Sequence, residues 1–356
     1  MAARTAFDAM MASWGRESVP ASPQWPSRIG NDHAPFEFSV AFVGTETRLR
    51  FLVEAQSTSP GFPAVRDACL AVQDAVTECG ADPEAYQRVR DLFLTDVPQA
   101  RFALWHAAAI APGPSFVKAY LNPQIHGADH AETLVERAFE RLGLRGAWPQ
   151  VRDVFRDRVV PGSISPEGLR GNEIPYFAVD LLPAQRARSK VYLYPAGATA
   201  RDFERLAALR PSYVPGEVTA FCRAMTGSTG PYTDHPLCAY VAFTGTDPTP
   251  SDVTIQIPMP AYVPDDREAR DRIVEYFRTR GLPTASYLRA LGAATRRPLT
   301  AGRGLHTYVS LRTGRTPAHV TTYFAAELYD VQAPRRDTAS VRLAAAARVE
   351  RFLGQV

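Results

Sequence analysis

Hydrophobic and other residues alternate strictly in two neighbouring stretches near the start of the chain. Apolar side chains occupy every second position of residues 36–42, and residues 48–54 repeat the pattern after a short turn. A period of two is typical of a β-strand with one buried face. Residues 63–79 instead space their apolar side chains at helical intervals, between Pro63 and Gly80. The pattern therefore predicts a strand pair followed by a helix.

This unit of two strands and helices recurs along the chain. Predicted strand pairs begin near residues 36, 102, 174, 237 and 304, at steps of 66, 72, 63 and 67 residues. The near-constant step indicates five copies of one unit, which cannot bury its apolar face alone. Helices are predicted at 63–79, 83–94, 128–143, 200–208, 216–226, 264–280 and 336–354.

The predicted strands are joined by short turns and should therefore pair antiparallel. Ten such strands can remove their exposed edges by closing into a barrel, with helices over the outer, apolar face. We therefore predict an α+β fold, a barrel of ten antiparallel strands in five repeats with helices outside. No linker or change in composition divides the chain, so residues 1–356 are expected to form a single domain.

The other face of each strand is expected to line the lumen. On the first pair, Phe38 and Leu49 should pack under helices, whereas Glu37, Arg48 and Arg50 should point inward. Later strands are expected to add Lys118, Tyr120, Arg188, Lys190, Tyr192, Tyr194, Gln256 and Tyr323. Steps of 68, 72, 66 and 67 residues separate the equivalent position of each unit, occupied by Arg50, Lys118, Lys190, Gln256 and Tyr323.

Lysine is almost absent from the chain, since 40 Lys and Arg residues include only Lys118 and Lys190. Both lie in a Lys-x-Tyr motif on the second strand of a unit. Buried cations cost several kcal/mol each when unpaired, but a multiply charged anion offsets this with about 1.5–3 kcal/mol per charge-assisted hydrogen bond. Tyrosine ring faces stabilise a nearby cation. An anion clamp beside an aromatic cage is the arrangement that cleavage of an allylic diphosphate requires.

Composition and other motifs exclude several classes of protein. The net charge of +3 gives no strong field for nucleic acid. The four cysteines lack C-x-x-C spacing and no apolar run reaches membrane length, so a cytoplasmic protein without disulfides is expected. Asp265-Asp266 could begin a DDxxD magnesium motif, but Ala269 replaces the third acid and the stretch is typical of a helix start. No metal site is expected.

Taken together, these residues resemble the dimethylallyltryptophan synthase type of indole prenyltransferase. The resemblance runs in order through nearly the whole chain: Glu37 in Phe-Glu-Phe-Ser, Arg50, Lys-Ala-Tyr at 118–120, Arg-Ser-Lys-Val-Tyr at 188–192, Gln256 and Tyr323. It implies the ABBA barrel and transfer of a dimethylallyl group from dimethylallyl diphosphate, the co-substrate, to the indole of tryptophan or a tryptophan derivative. No metal or other cofactor is implied, and the short, arginine-rich chain is typical of a bacterial member.

The resemblance also implies roles for individual residues. Glu37 would bind the indole N–H and promote attack by the ring. His106 stands where tryptophan 4-prenylating members carry a lysine, so it is either the base that takes the ring proton or a buried structural histidine. The diphosphate would be held by Arg50, Lys118, Arg188, Lys190 and His319. The allyl cation would be shielded by Tyr120, Tyr192, Gln256 and Tyr323.

Two positions depart from the family pattern. Pro258 stands where fungal members commonly carry tyrosine, which predicts a cage one ring short. Residues 174–182 contain no arginine to hold an amino-acid carboxylate, which weakens the case for free tryptophan. Two alternatives therefore stay open: prenylation of a phenol or naphthalene on the same barrel, and a non-catalytic binder of isoprenoid diphosphates, against which the inward Glu37 argues.

The expected partners are small molecules, an aromatic acceptor and dimethylallyl diphosphate, with neither nucleic acid nor membrane involved. The sequence leaves open whether the protein is a monomer or a homodimer, which ring position is attacked and which chain length of prenyl donor is used.

Overall fold

All five predicted strand pairs are present in the structure. The computed structural model describes residues 3–11, 14–59, 61–96, 100–110, 116–155, 172–233 and 235–335. The strands among them are β1 (Phe36–Val43), β2 (Glu46–Val53), β3 (Leu104–Ile110), β4 (Val117–Leu121), β5 (Asn172–Glu173), β6 (Phe177–Asp180), β7 (Arg188–Pro195), β8 (Cys238–Thr244), β9 (Asp252–Pro258), β10 (His306–Arg312) and β11 (His319–Ala325).

Ten of these strands close into one antiparallel barrel. Around the barrel the order is β1-β2-β3-β4-β6-β7-β8-β9-β10-β11, and β11 pairs back with β1 from Glu37 opposite Ala325 to Val43 opposite His319. The short β5, which the sequence does not predict, pairs only with the end of β7. Closure leaves no free edge in the barrel, as expected for ten strands connected in this way.

Helices pack around the outside of the barrel. They are α1 (Ala3–Met11), α2 (Phe62–Glu78), α3 (Glu84–Phe93), α4 (Ala131–Arg141), α5 (Ala147–Phe155), α6 (Ala200–Ala207), α7 (Glu217–Thr226), α8 (Met259–Tyr262), α9 (Asp266–Thr279) and α10 (Thr284–Ala294), with 3-10 turns at Ala128–His130 and Leu299–Ala301. α2 shows why they form: it begins next to Pro63 and buries one face through Val65, Cys69, Val72 and Val76.

The helix predictions hold for the described residues, with four additions. α1, α5, α8 and α10 are not predicted from the sequence, and the predicted helix 336–354 lies outside the described residues. The acidic stretch before α9 is a helix start, as expected, because the Asp265 side chain accepts a hydrogen bond from the Glu268 backbone N–H at 2.9 Å. Its carboxylate is therefore used as a cap.

Apolar residues form two separate clusters, one between sheet and helices and one inside the barrel. The described helices cover the outer face of the first hairpin less completely than the sequence predicts. Phe38 and Leu49 on that face keep 39% and 41% of their surface exposed. Arg48 was expected in the lumen, and this is wrong. It lies near the hairpin turn, exposed, with Nη2 2.7 Å from the Glu46 carboxylate.

The predicted free thiols are confirmed: all four cysteines are unpaired, three of them buried. Among the described residues, no helix has both the length and the apolar character needed to cross a bilayer.

Candidate functional site

The barrel lumen contains a cavity of about 510 Å³. It opens at the end of the barrel where β9 finishes at Pro258, and the loop before β1 contributes to its mouth. Among the predicted site residues, those that line it are Glu37, Arg50, Tyr120, Tyr192, Gln256 and Tyr323. Period-two alternation therefore places six predicted side chains, each from a different strand, in one space.

Aromatic rings form the middle of the cavity. The rings of Tyr120 and Tyr192 lie 5.8 Å apart, and the Tyr192 hydroxyl donates to that of Tyr120 at 3.2 Å. Opposite them, Gln256 Nε2 donates to the Tyr323 hydroxyl at 3.0 Å. These bonds fix the ring orientations, so the tyrosine faces can surround a small cation without rearrangement.

Two further tyrosine rings, which the sequence analysis did not assign, lie beside the cage. Tyr240 pairs with Tyr192 across β7 and β8, with 4.9 Å between ring centroids. Tyr308 lies directly opposite Pro258 on β10 and shares a 2.9 Å hydroxyl contact with Tyr194. Pro258 itself supplies no ring, and Tyr308 on the neighbouring strand β10 places an aromatic ring beside it at the cavity wall. Alternation within β8 and β10 was the available signal for both missed residues.

Glu37 reaches the cavity from β1 and is almost fully buried. Its Oε1 accepts a hydrogen bond from the Thr307 hydroxyl at 2.5 Å. Burial raises the pKa of Glu37 to about 8, although Thr307 and the Arg50 charge oppose the shift. Among the described residues, no other acidic side chain lines the cavity. A buried carboxylate of this kind can accept an N–H and stabilise positive charge on an aromatic ring.

Positively charged side chains lie deeper in the barrel than the tyrosine rings. Arg50 lines the cavity, and its guanidinium lies 5.8 Å from the Tyr323 ring centroid. Lys118 and Lys190 are buried two residues from Tyr120 and Tyr192 on the same strand face, which places them about 7 Å deeper. Burial and the neighbouring cations lower the pKa of both lysines. A group of buried cations such as this one can bind a multiply charged anion.

Two carboxylates and a histidine complete this deeper region. Asp180 accepts hydrogen bonds from Arg188 Nε at 2.6 Å and from Lys190 Nζ at 3.0 Å. Asp252 lies 3.4 Å from Arg188 and also pairs with Arg312. His319 is half-buried on the lumen face of β11, and burial, reinforced by Arg312 and Arg50, lowers its pKa to about 3. His319 would therefore serve as a neutral hydrogen-bonding group.

His106 does not reach the cavity, which does not fit its predicted role as base. It is fully buried on β3, and its Nε2 lies 3.1 Å from Oε1 of Gln73, which belongs to the outer helix α2. Its neighbour Trp105 faces the lumen instead. Burial lowers the pKa of His106 to about 3, so the ring is neutral. The structural alternative for His106 is the one that this geometry supports.

Replacing His106 with alanine is therefore expected to affect stability and not turnover. The variant leaves a cavity and removes the partner of Gln73, which should lower the free energy of unfolding by about 2–4 kcal/mol. Urea unfolding and kcat per folded molecule measure the two effects separately. A fall in kcat of about 100-fold, the range for loss of a general base, would contradict this placement.

Comparison with known proteins places this fold and site in a family. The sequence profile of tryptophan dimethylallyltransferase matches residues 13–290. The 6-dimethylallyltryptophan synthase from Micromonospora olivasterospora, crystallised with DMASPP and Trp, is 35% identical over 93% of each chain, with a TM-score of 0.82. PriB, crystallised with L-tryptophan and dimethylallyl thiolodiphosphate, is 32% identical over 93% of this chain and 91% of that one, with a TM-score of 0.80.

A third relative is similar over the same extent. The 5-dimethylallyl tryptophan synthase from Streptomyces coelicolor is 29% identical over 93% of this chain and 90% of that one, with a TM-score of 0.78. These matches extend around the whole barrel and confirm the ABBA prenyltransferase fold. A lumen that joins a carboxylate, a tyrosine cage and a buried cation cluster is thus explained by descent, because the chain belongs to the tryptophan dimethylallyltransferase family of indole prenyltransferases.

Proposed function

We propose that this protein transfers a dimethylallyl group from dimethylallyl diphosphate to the six-membered ring of L-tryptophan, without a metal. The observation that carries the proposal is the order of groups along one lumen: Glu37 nearer the mouth, the tyrosine cage in the middle and the cations beyond it. Relatives named as 6- and 5-dimethylallyltryptophan synthases support the acceptor and the ring.

Each step before the final deprotonation has a matching group among the described residues. The diphosphate would lie among Arg50, Lys118, Arg188, Lys190 and His319, and these stabilise the electron pair that the diphosphate takes when the C1–O bond breaks. The allyl cation would remain between Tyr120, Tyr192, Gln256 and Tyr323. A ring carbon of the indole then forms a bond to C1. Glu37 accepts a hydrogen bond from the indole N–H and so stabilises the cationic ring, and a base then takes the proton from the attacked carbon.

The mouth of the cavity supports an amino acid as acceptor. Position 6 of an indole lies across the ring system from C3, so a tryptophan with its six-membered ring toward the cage directs its carboxylate outward. Arg28 and Arg101 line the mouth and have no hydrogen-bond partner among the described residues, whereas Arg303 and Arg335 already donate to backbone carbonyls. Arg28 and Arg101 would take the role for which residues 174–182 supply no arginine.

The proposal of a metal-free reaction rests on the number of positively charged side chains deep in the barrel. Arg50, Lys118, Arg188 and Lys190 can neutralise a diphosphate by charge-assisted hydrogen bonds, the task that magnesium performs elsewhere. Within the described part of the chain, no group of three or more His, Cys, Asp or Glu side chains is arranged to hold a metal ion.

The decisive experiment incubates the full chain with dimethylallyl diphosphate and a panel of acceptors, with and without EDTA. L-Tryptophan should give a product prenylated on the six-membered ring, identified by mass spectrometry and NMR, at a rate that EDTA does not change. Tryptamine, which lacks the carboxylate, should react with a higher KM. Absence of product with every acceptor would overturn the proposal, preference for a naphthol would favour the phenolic alternative, and strict magnesium dependence would overturn the metal-free reaction.

We further propose that residues 1–356 form one prenyltransferase domain that acts in the cytoplasm on small molecules. The strands of a single closed barrel run from Phe36 to Ala325, which supports one domain. Four free cysteines support a reducing compartment.

A further inference from the structure

Asp180 occupies an unexpected place for a carboxylate. It is fully buried at the end of β6, in the middle of the cation cluster. Its two oxygens are both used, one by Arg188 Nε at 2.6 Å and the other by Lys190 Nζ at 3.0 Å, and Lys118 stands directly opposite it on β4. These neighbours hold the pKa of Asp180 below its usual range despite its burial.

A negative charge here repels a diphosphate, so its presence needs a reason. The two lysines differ from the arginines around them, because a buried lysine readily loses its proton and an arginine does not. Without a counter-charge, Lys118, Lys190 and Arg188 would repel one another in a site with little water. The empty site would then relieve the repulsion by releasing lysine protons, and a neutral amine attracts a diphosphate far less.

We propose that Asp180 is a positioning residue that keeps Lys118 and Lys190 protonated, and Arg188 aimed, before the diphosphate arrives. The inference rests on the proposed function, since it assumes that these cations hold the diphosphate. Asp180 thereby extends the pH range in which the empty site can capture its anion, at the cost of some repulsion once the anion is bound.

The charged groups around the two lysines define what a test must control. Those that act on Lys118 or Lys190 from the surrounding strands are Arg50 on β2, Asp180 on β6, Arg188 on β7 and Tyr240 on β8. Asp252 on β9 offers a matched control. It is also buried and shares Arg188, but its other partners are the arginines Arg312 and Arg315 and not a lysine.

The experiment measures binding of inorganic diphosphate to the full chain by calorimetry between pH 6 and 9.5. Asp180→Asn keeps an oxygen for Arg188 but removes the charge, so the pH at which affinity falls should move down by about 1–3 units. Asp252→Asn should leave that midpoint in place. Lys190→Arg in the Asp180→Asn background should move the midpoint back up, because arginine stays protonated. Thermal denaturation confirms that each variant is folded.

The outcomes separate this inference from the function on which it rests. A wild-type chain that binds no diphosphate at any pH would overturn the assigned anion site and the proposed function with it. Wild-type binding with an unshifted midpoint in Asp180→Asn would overturn the inference alone. If Asp180→Asn does not fold, Lys190→Arg in the otherwise unchanged chain decides: the midpoint should rise, and an unchanged midpoint would overturn the inference for Lys190.

Discussion

Replacing Glu37 with glutamine is expected to lower kcat for prenyl transfer by about 10²–10³-fold, with little change in the KM for dimethylallyl diphosphate. Glutamine has nearly the shape of glutamate, and its carbonyl can still accept a hydrogen bond. What it lacks is the negative charge beside the indole N–H when the attacked ring becomes cationic. The effect is measured by steady-state kinetics in which the concentration of tryptophan or of dimethylallyl diphosphate is varied while the other substrate is saturating. Unchanged turnover would remove the role assigned to Glu37.

The pH dependence of the same reaction tests the charge directly. Because burial raises the pKa of Glu37 to about 8, its carboxylate form becomes the main form only as the pH rises through that value. We expect kcat/KM for tryptophan to rise with pH up to about 8 in the wild type and to lose this limb in Glu37→Gln. Thr307→Val is the matched variant. It removes the hydrogen bond that lowers the pKa of Glu37, so the limb should persist but move to higher pH.

Glu37 is also a case in which a functional group lowers stability. Its pKa is raised from 4.5 in the unfolded chain to about 8 in the fold, so folding favours the protonated form. Stability therefore decreases as the pH rises from about 4.5 to about 8 and is constant above that, as far as this group is concerned. Glu37→Gln should be at least as stable as the wild type at pH 8.5, so its loss of turnover cannot be attributed to unfolding.

The lumen could be predicted from the sequence because a strand offers only two faces. Once Phe36 and Val40 are assigned to the outside, Glu37 must point inward, and the same choice holds for Tyr120 and Tyr192. The choice fails where both faces look alike. Trp105 and His106 stand among apolar neighbours on β3, and nothing in that pattern says which of the two faces the lumen.

Contacts between strands were beyond what the sequence could show. The pairing of Asp180 with Lys190, and of Tyr308 with Pro258, depends on the register of neighbouring strands. Period-two alternation contains no information on the register between neighbouring strands. Arg48 shows a second limit, because a residue on the correct face still leaves the lumen when its strand extends past the end of the barrel.

Arg50→Gln is expected to lower kcat/KM for dimethylallyl diphosphate by about 10²-fold, through kcat more than through KM. Of the cations assigned to the diphosphate, Arg50 is the one that lines the cavity beside the cage, where its guanidinium faces Tyr323 and donates to the Thr321 hydroxyl at 3.5 Å. It would therefore meet the negative charge that develops as the C1–O bond breaks. Initial rates at varied dimethylallyl diphosphate and saturating tryptophan give both constants.

Arg48→Gln supplies a close control for this result. Arg48 lies two residues away on the same strand and face, and its removal changes the net charge by the same amount, but it is exposed and paired with Glu46. Its loss should leave kcat/KM nearly unchanged, because water screens a charge at that position. Equal losses in the two variants would mean that the overall positive field attracts the substrate, whereas no loss in Arg50→Gln would place the diphosphate away from Arg50. A large loss confined to Arg50→Gln would instead show that direct contact inside the lumen stabilises the leaving group.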